Sequence, residues 1–330
     1  MRYTYTVETF DTLSSYWGET EHDLRWDCIF VFPEWLESWW REFGAGSELY
    51  LRAVRDRGDI IGIAPLLLRG WGSERTAYFM GSTNICDCQD FIINPGRETD
   101  FFNTLMINLR QEGILHLDLG HVRPESTVMS SLRGIAQNTG CGVYCYEDAS
   151  SMELDLPSSW DDYLDLLAPK QRHEINRRLR RLREQGDTTY CVIANDVALP
   201  EFETTFLHMF RESREDKKEF MTVQMEDFFR SFARSMSEIG LFRLHTLNVD
   251  ATTVAATVCF DDGSTVYLYN SGYDPNYGSL SVGLLCKVLC IENAIATGHR
   301  KFDFLKGAER YKHHLGGSEV PLYKCEIAIK

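Results

Sequence analysis

The stretch that decides the fold is residues 266–315, VYLYNSGYDPNYGSLSVGLLCKVLCIENAIATGHRKFDFLKGAERYKHHL. It begins with a β-type run that ends at Gly272, and a loop rich in Gly, Tyr and Pro follows. Ser281 then precedes a long apolar helical stretch, and the next β-type run, KFDFL, places Asp303 between two aromatic residues. This order of strand, helix and strand predicts a mixed α/β layer rather than a purely parallel array.

The same order occurs earlier in the chain. The helical stretch FFNTLMINLRQEG leads into ILHLDLG, as LLCKVLCIENAIATG leads into HRKFDFLKG. Gly113 precedes Asp118 by five residues, and Gly298 precedes Asp303 by five. Upstream of each helix, β-type runs are separated by turns of Gly and Asp, which supply the positive φ angles of tight hairpins. We therefore expect a duplicated α/β (α+β) fold, in which each copy has a mixed, mostly antiparallel sheet flanked by helices.

The length and charge limit what the protein can be. The 330 residues suggest two domains, which we place at residues 1–155 and 156–330. The formal charge of −15, from 34 Lys+Arg and 49 Asp+Glu, argues against a DNA-binding protein or one that binds anionic membranes. The N-terminal residues lack the apolar run of a signal peptide, and the longest aliphatic stretch, residues 60–68, is too short to span a membrane. We expect a cytoplasmic protein without a transmembrane segment.

The ten cysteines are scattered, and without a secretion signal this pattern favours reduced thiols. No pair shows the two-residue gap, repeated at a second place, that is typical of zinc sites. Cys286 and Cys290 are four residues apart in an apolar helical pattern, which indicates core packing. The sequence predicts no metal.

A basic helix is predicted from Pro169, with Gly186 after its end. Residues 170–184 contain seven Lys/Arg and two Glu, a net charge of +5, so the rest of the chain sums to −20. This strip is either a solvated helix face or a surface for an anionic ligand, such as a nucleotide phosphate, an acidic polymer or an RNA backbone. Two further amphipathic helices are predicted at residues 199–218 and 223–240, with little chemistry of their own.

Two short segments could carry chemistry. Ser281 opens a helix with Gly283 in its first turn, and the unpaired N–H groups and positive dipole of such a helix start favour an anion. After the strand with Asp303 come a carboxylate, a phenol, an ammonium and two imidazoles, which could supply acid and base groups or could be structural. They are Glu309, Tyr311, Lys312, His313 and His314.

The segment DFLKGAERYK, residues 303–312, resembles a signature of GNAT-superfamily acyltransferases, DFL-x-G-x-x-x-YK. More narrowly, the chain is similar to the double-lobed, BioF2-like branch associated with cellulose and exopolysaccharide biosynthesis and related to the Fem-type transferases. The resemblance spans roughly residues 25–325 at low identity and is strong over about residues 265–315. Val282 departs from the usual Pro of the turn before the long helix.

The resemblance implies two tandem GNAT-like lobes, with acyl-CoA, and acetyl-CoA in particular, bound between two diverging strands of the second lobe. The cofactor-binding positions that it implies are Tyr269, Asn270, Tyr277, Ser281, Val282, Gly283 and Leu284. The implied catalytic residues are Asp303 and Glu309 as candidate bases and Tyr311 as the acid for the leaving thiolate. The implied substrate-binding residues are Lys170, Arg172, Arg177, Lys306 and Lys312.

The predicted function is N-acyl transfer to an amine of a small molecule or polymer precursor, such as a sugar or a cell-envelope or exopolysaccharide precursor. One alternative is a Fem-type transferase that uses aminoacyl-tRNA, in which the basic helix would contact RNA. Another is a non-catalytic binding protein of the same fold. In the first lobe Asp118 is followed by LGHVRPES, without a Tyr-Lys pair, so we expect that lobe to be structural or acceptor-binding.

Overall fold

The computed structural model describes residues 3–18, 23–72, 75–81 and 85–330. The chain divides into two compact units. Unit 1 comprises Met1–Ser150 and Val320–Lys330, and unit 2 comprises Ser151–Glu319. The predicted division at residue 155 is contiguous in sequence, whereas unit 1 also contains the last strand of the chain. No helix in the described ranges is long and apolar enough to cross a membrane.

The strands are β1 (Tyr3–Val7), β2 (Glu48–Asp56), β3 (Asp59–Arg69), β4 (Thr76–Phe79), β5 (Ile92–Ile93), β6 (His116–Val122), β7 (Gly142–Asp155), β8 (Thr188–Ala194), β9 (Phe242–Val249), β10 (Thr252–Asp261), β11 (Thr265–Tyr273), β12 (Lys301–Lys306) and β13 (Ser318–Ala328). The helices are α1 (Phe10–Gly18), α2 (Pro33–Phe43), α3 (Glu98–Gln111), α4 (Arg133–Asn138), α5 (Trp160–Leu166), α6 (Pro169–Arg183), α7 (Leu199–Glu201), α8 (Leu207–Ser213), α9 (Glu215–Phe220), α10 (Val223–Glu238), α11 (Val282–Ala296) and α12 (Arg310–His314). Single π turns lie at Val128–Leu132 and Phe202–Phe206, and short 3₁₀ segments at Ile29–Val31, Asn195–Ala198 and Pro275–Leu280.

The sheet of unit 1 has the strand order β1-β2-β3-β4-β6-β13. Its neighbours are antiparallel except β4 and β6, which are parallel, and β5 pairs with β3 beside this path. Helix α3 crosses between the two parallel strands and buries one face in the core of this unit. The residues on that face are Phe101, Phe102, Leu105, Met106 and Leu109.

The sheet of unit 2 has the order β8-β9-β10-β11-β12, and residues 151–155 of β7 pair with β12. Its neighbours are antiparallel except β11 and β12, which are parallel. Helix α11 crosses between them, as α3 does in unit 1. The prediction of two lobes, each with a mixed and mostly antiparallel sheet flanked by helices, is confirmed.

Helix α11 is buried on most sides because the sheet covers one side and α6 another. The predicted stripe of α6, Ile175, Leu179 and Leu182, is buried in the same core. The arginines of α6 occupy its remaining surface.

Two expectations from the sequence are wrong. Residues 199–218 do not form one helix, because Arg214 adopts an extended conformation (φ −163°, ψ 145°) that separates α8 from α9. The cysteines are not all reduced, because Cys145 and Cys325 form a disulfide between β7 and β13 within unit 1. These cysteines are 180 residues apart, and strand pairing brings their Cα atoms to 4.2 Å, which no sequence spacing could indicate.

Candidate active site

The candidate site lies where β11 and β12 separate. The two strands are paired over three residues, Thr265–Lys301, Val266–Phe302 and Tyr267–Asp303. Beyond these pairs β11 continues beside β10 to Tyr273, while β12 continues beside β7 to Lys306. We call the divergence of residues 268–273 from residues 304–306 the strand fork. The strand pairing ends where the resemblance implies that the two strands diverge.

A β-bulge lies on β11 at the start of the strand fork. Asn270 faces Val258 of β10 and Leu268 faces Cys259, so the register of the two strands shifts by one residue at Tyr269. Such bulges are frequent beside active sites. The ring of Tyr269 packs in an aromatic cluster with centroid distances of 5.2–5.9 Å to Phe229, Phe232 and Phe260. The cluster fixes the side chain of the bulged residue.

The N-terminus of α11 lies next along the chain. Ser281 has a left-handed backbone (φ 59°), and its carbonyl oxygen accepts hydrogen bonds of 3.0 Å from the N–H groups of Leu284 and Leu285. The hydroxyl of Ser281 accepts a hydrogen bond of 2.8 Å from Nη1 of Arg178 on α6. The positive end of a 15-residue helix and a guanidinium group therefore meet at one point. This arrangement suits an anion such as a diphosphate.

The other predicted cofactor positions are mainly packed. Val282 is fully buried, Leu284 is half-buried, and Tyr277 packs against the core of unit 2 from the preceding 3₁₀ segment. A Cβ atom at Gly283 would lie 3.0 Å from the ring of Tyr273. The absence of a side chain at this position therefore makes room for a tyrosine of β11.

The DFLKGAERYK segment forms a tight turn with two positive φ angles, 60° at Leu305 and 100° at Gly307. Oδ1 of the buried Asp303 accepts a 2.7 Å hydrogen bond from the Leu305 N–H. Nζ of the buried Lys312 donates to the carbonyl oxygens of residues 305, 306 and 307 at 3.1, 2.7 and 3.0 Å, and lies 2.9 Å from Oε2 of Glu309. The contacts of Asp303 and Lys312 hold this turn.

Tyr311 lies beside a buried lysine. Nζ of Lys287 is 5.2 Å from the centroid of the Tyr311 ring and donates a 3.0 Å hydrogen bond to the carbonyl of Gly283. Burial lowers the pKa of Lys287. Burial, with the carboxylate of Glu309, raises the pKa of Tyr311. The Tyr311 phenol therefore stays protonated at neutral pH.

A second lysine reaches the strand fork from α9. Nζ of Lys217 donates to the backbone carbonyl of Ser271 on β11 and lies 4.6 Å from the centroid of Phe210. Burial, assisted by the charges of Lys287 and Arg214, lowers the pKa of Lys217 to about 7. Because an unperturbed lysine has a pKa near ~10.4, this amine has an unusually large neutral population at physiological pH.

Sequence analysis missed Lys217, because its placement depends on two features of the fold. Arg214 ends α8 and starts α9 in a new direction. A Cβ atom at Gly272 would lie 2.6 Å from the backbone nitrogen of Phe210, so α8 packs directly on β11 only because residue 272 is glycine. The glycine in NSG was a visible signal of a close backbone approach.

The predicted substrate-binding residues of α6 do not converge on the strand fork. Arg172 pairs with Asp165, Arg177 pairs with Glu174 at 2.8 Å, and Lys170 is exposed. Arg178, which sequence analysis did not single out, both contacts Glu174 and reaches Ser281. These two arginines lower the pKa of Glu174 to about 2. The carbonyl of Lys306 accepts from Lys312.

Comparison with known proteins agrees with this geometry. The family model described as an acetyltransferase (GNAT) domain matches residues 169–313, from the start of α6 through α12. This segment has the GNAT fold. The match contains the strand fork, Arg178, the start of α11 and Tyr311. No curated protein matches the chain.

Solved structures extend the likeness of fold to the whole chain. The crystal structure of FemX has a TM-score of 0.66 at 11% identity and covers 98% of this chain and 96% of its own. A conserved protein of unknown function from Bacteroides thetaiotaomicron has a TM-score of 0.60 at 14% identity, with 99% of both chains covered. At these identities the likeness concerns the fold alone.

Proposed function

We propose that unit 2 transfers an acyl group from acyl-CoA to an amine. The amine nitrogen forms a bond to the thioester carbonyl carbon, the carbon–sulfur bond breaks, and the sulfur leaves as the CoA thiolate. The observation that carries the proposal is the strand fork beside the start of α11, where Arg178 meets Ser281. An opened strand edge and an anion site next to each other fit a long donor with amide groups at one end and phosphates at the other.

The chain offers separate groups for each part of the donor. The backbone of residues 268–273 provides N–H and C=O groups for the amides of the pantetheine arm. The start of α11 and Arg178 provide donors for the diphosphate. A backbone N–H at the bulge, from Tyr269 or Asn270, is the group that we propose to polarise the thioester carbonyl.

An amine acceptor is mostly protonated at neutral pH and must lose a proton before attack. We assign this task to the neutral form of Lys217, because its ammonium lies at the strand fork and its pKa is about 7. The carboxylates of Asp303 and Glu309, the bases expected from the sequence, contact Leu305 and Lys312 respectively. The phenol of Tyr311 then protonates the leaving sulfur, and the second proton that the attacking nitrogen loses as the amide forms restores the phenol through solvent.

The acceptor class rests on the resemblance alone, which suggests a sugar or cell-envelope precursor. The alternative donor is aminoacyl-tRNA. On α6, three arginines other than Arg178 lie beside carboxylates, which reduces the positive charge that this helix offers to an RNA backbone: Arg172, Arg177 and Arg180. This observation favours acyl-CoA.

The experiment is a thermal unfolding series with CoA, acetyl-CoA, longer acyl-CoAs and bulk tRNA. A ligand that binds only the folded protein at a hundred times its Kd raises the free energy of unfolding by about 2.7 kcal/mol. We expect acyl-CoA to raise the Tm and tRNA to leave it unchanged. Release of free CoA thiol in the presence of an amine panel then measures turnover.

Three outcomes contradict the proposal. An unchanged Tm with every acyl-CoA at millimolar concentration removes the donor. Salt-sensitive tRNA binding without acyl-CoA binding replaces it with the Fem-type reaction. Acyl-CoA binding without thiol release for any amine indicates a binding protein of this fold.

A further inference from the structure

A group of metal-ligating side chains lies in the core of unit 2, beside the start of the strand fork, where Cys259 pairs with Leu268. His245 of β9, Cys259 of β10 and Cys290 of α11 place one imidazole nitrogen and two sulfur atoms within 4.8 Å of one another. They are 3%, 0% and 1% exposed. We call these three residues the Cys–His cluster. Cys290 lies eight residues after Val282, or about 12 Å along α11 from the anion site.

The imidazole of His245 is oriented by a neighbour. Its Nδ1 lies 2.5 Å from the hydroxyl of Tyr190 on β8. Its Nε2 is buried and has no hydrogen-bond partner within the described part of the chain. A buried polar atom without a partner costs about 1–3 kcal/mol, so such atoms are rare unless something else satisfies them. Orientation of one ring nitrogen by a hydroxyl while the other is left open is typical of metal-ligating histidines.

The donor set fits Zn²⁺. Zinc binds imidazole nitrogen and thiolate sulfur at about 2.0–2.3 Å, which puts the ligand atoms of a tetrahedral site about 3.3–3.8 Å apart. Atoms that are within 4.8 Å of one another need only a small contraction to reach this spacing. With Cys286 as the fourth donor the ligand set is three cysteines and one histidine, which is one of the sets found in structural zinc sites and gives the site a net charge of −1.

A fourth donor lies one helical turn away. Cys286 precedes Cys290 by four residues on α11, so both side chains lie on the same face of the helix. Its sulfur is fully buried and accepts a hydrogen bond of 3.4 Å from the hydroxyl of Thr257. Rotation of this side chain toward the Cys–His cluster would complete a four-coordinate site.

We propose that the Cys–His cluster binds a structural Zn²⁺ ion, with Cys286 as the fourth donor. The ion joins β9 and β10 to α11 and satisfies Nε2 of His245. Binding releases the thiol protons to solvent and involves no change in oxidation state. No zinc-type spacing is visible in the sequence, because the ligands come from three separate elements. This proposal is independent of the proposed acyl transfer.

The test uses the full-length protein, purified under reducing conditions without chelator. We expect elemental analysis to find about one zinc per chain. After removal of zinc, Co²⁺ should produce the near-ultraviolet thiolate-to-cobalt band, and Zn²⁺ should abolish it. The Cys290→Ser and Cys259→Ser variants should lose the band, and Tyr190→Phe should weaken the affinity by about tenfold to a hundredfold. The control Cys191→Ser, at an exposed position on β8, should bind as the unsubstituted protein does.

Two results overturn the proposal, and the first of them needs only the unsubstituted protein. One is the absence of zinc in the unsubstituted protein together with the absence of a cobalt band. The other is a cobalt band that persists in folded Cys259→Ser and Cys290→Ser, with folding verified by circular dichroism. The first result would show that the Cys–His cluster is core packing.

Discussion

The parallel strand pairs of the two units have the same framework. In unit 1, β4 and β6 pair over three residues, and in unit 2, β11 and β12 do the same. In each case the last pair joins a tyrosine to an aspartate, Tyr78 to Asp118 and Tyr267 to Asp303. A helix crosses between the strands in both units. The repeat in the sequence therefore corresponds to a repeated structure, a short parallel strand pair with a crossing helix.

The first turns of the two crossing helices differ in charge. Helix α3 begins with Glu98 and Asp100 after Arg97, which pairs with Asp100 at 3.1 Å and with Asp56 at 2.8 Å. Helix α11 has no acidic residue in its first turn and has Arg178 at Ser281. Carboxylates at a helix start satisfy the positive end of the dipole and repel an anionic ligand. We propose that unit 1 keeps the framework for structure or acceptor binding and that unit 2 binds the donor.

We expect the largest effect from substitution of Lys217. This change removes the proposed base at the strand fork and so tests what distinguishes unit 2 from unit 1. Lys217→Met should lower turnover by about a hundredfold or more, since general bases contribute about 10²–10⁴. Turnover of the unsubstituted protein should rise with pH through about 7, because the neutral amine is the active form and its population grows as pH exceeds that pKa.

The matched control is Lys218→Met, the exposed neighbour on α9, which should keep both turnover and the pH profile. Initial rates from pH 5 to 9 measure both variants. If the Lys217→Met variant shows the same pH dependence of turnover as the unsubstituted protein, Lys217 is not the base, whatever the rate of the variant.

The next effect tests the phenol at the fork. Tyr311→Phe should lower turnover by about tenfold to a hundredfold, because the leaving sulfur loses its proton donor. The affinity for acyl-CoA should stay nearly unchanged, and calorimetric titration measures it. Equal losses of turnover and affinity would instead assign Tyr311 to packing against Lys287.

The third effect separates two adjacent arginines of α6. Arg178→Ala should weaken acyl-CoA binding by about tenfold to a hundredfold, from the loss of about 1.5–3 kcal/mol of charge-assisted hydrogen bonding. Arg177→Ala, which removes an arginine paired with the same Glu174, should leave the affinity unchanged. If both substitutions weaken binding equally, α6 acts through its general charge and not through the contact with Ser281.

We expect the smallest effect from a substitution that places a carboxylate at the start of α11, as unit 1 has at the start of α3. Leu284 is the third residue of α11, as Asp100 is the third residue of α3. Leu284→Asp should weaken acyl-CoA binding by about threefold to tenfold, since a charge at a helix start contributes about 0.3–1 kcal/mol and here also repels phosphate. The neutral control of the same shape, Leu284→Asn, should change the affinity less. Equal affinities in the two variants would remove charge as the difference between the units.

Local patterns predicted the features that depend on nearby residues. The five-residue spacing from Gly to Asp, Pro169 at the start of α6, and the helix start after Ser281 all concern short segments. The choice between Arg177 and Arg178 was also accessible, because Arg178 lies three residues after Ile175 and four before Leu182 and so flanks the buried stripe.

The features that the sequence did not predict depend on contacts between residues that are far apart in the chain. Lys217 reaches β11 because α8 packs on Gly272 and because the helix is interrupted at Arg214. Local sequence patterns do not show that these segments contact β11. The signature residue Lys312 was predicted to hold substrate, yet its ammonium contacts three backbone carbonyls that belong to the turn before it. A sequence motif marks such a residue without showing which group it contacts.

The return of β13 to unit 1 has a consequence for synthesis on the ribosome. β6 can pair with β13 only after roughly 200 further residues are translated, which takes about 10–40 s at ordinary elongation rates. During that interval the edge of β6 offers unpaired N–H and C=O groups to any other strand. The corresponding delay in unit 2 is shorter, because residues 151–155 of β7 pair with β12, which is translated roughly 150 residues later and before β13. The later-made unit can therefore complete its sheet first, and the earlier-made one needs protection from aggregation until then.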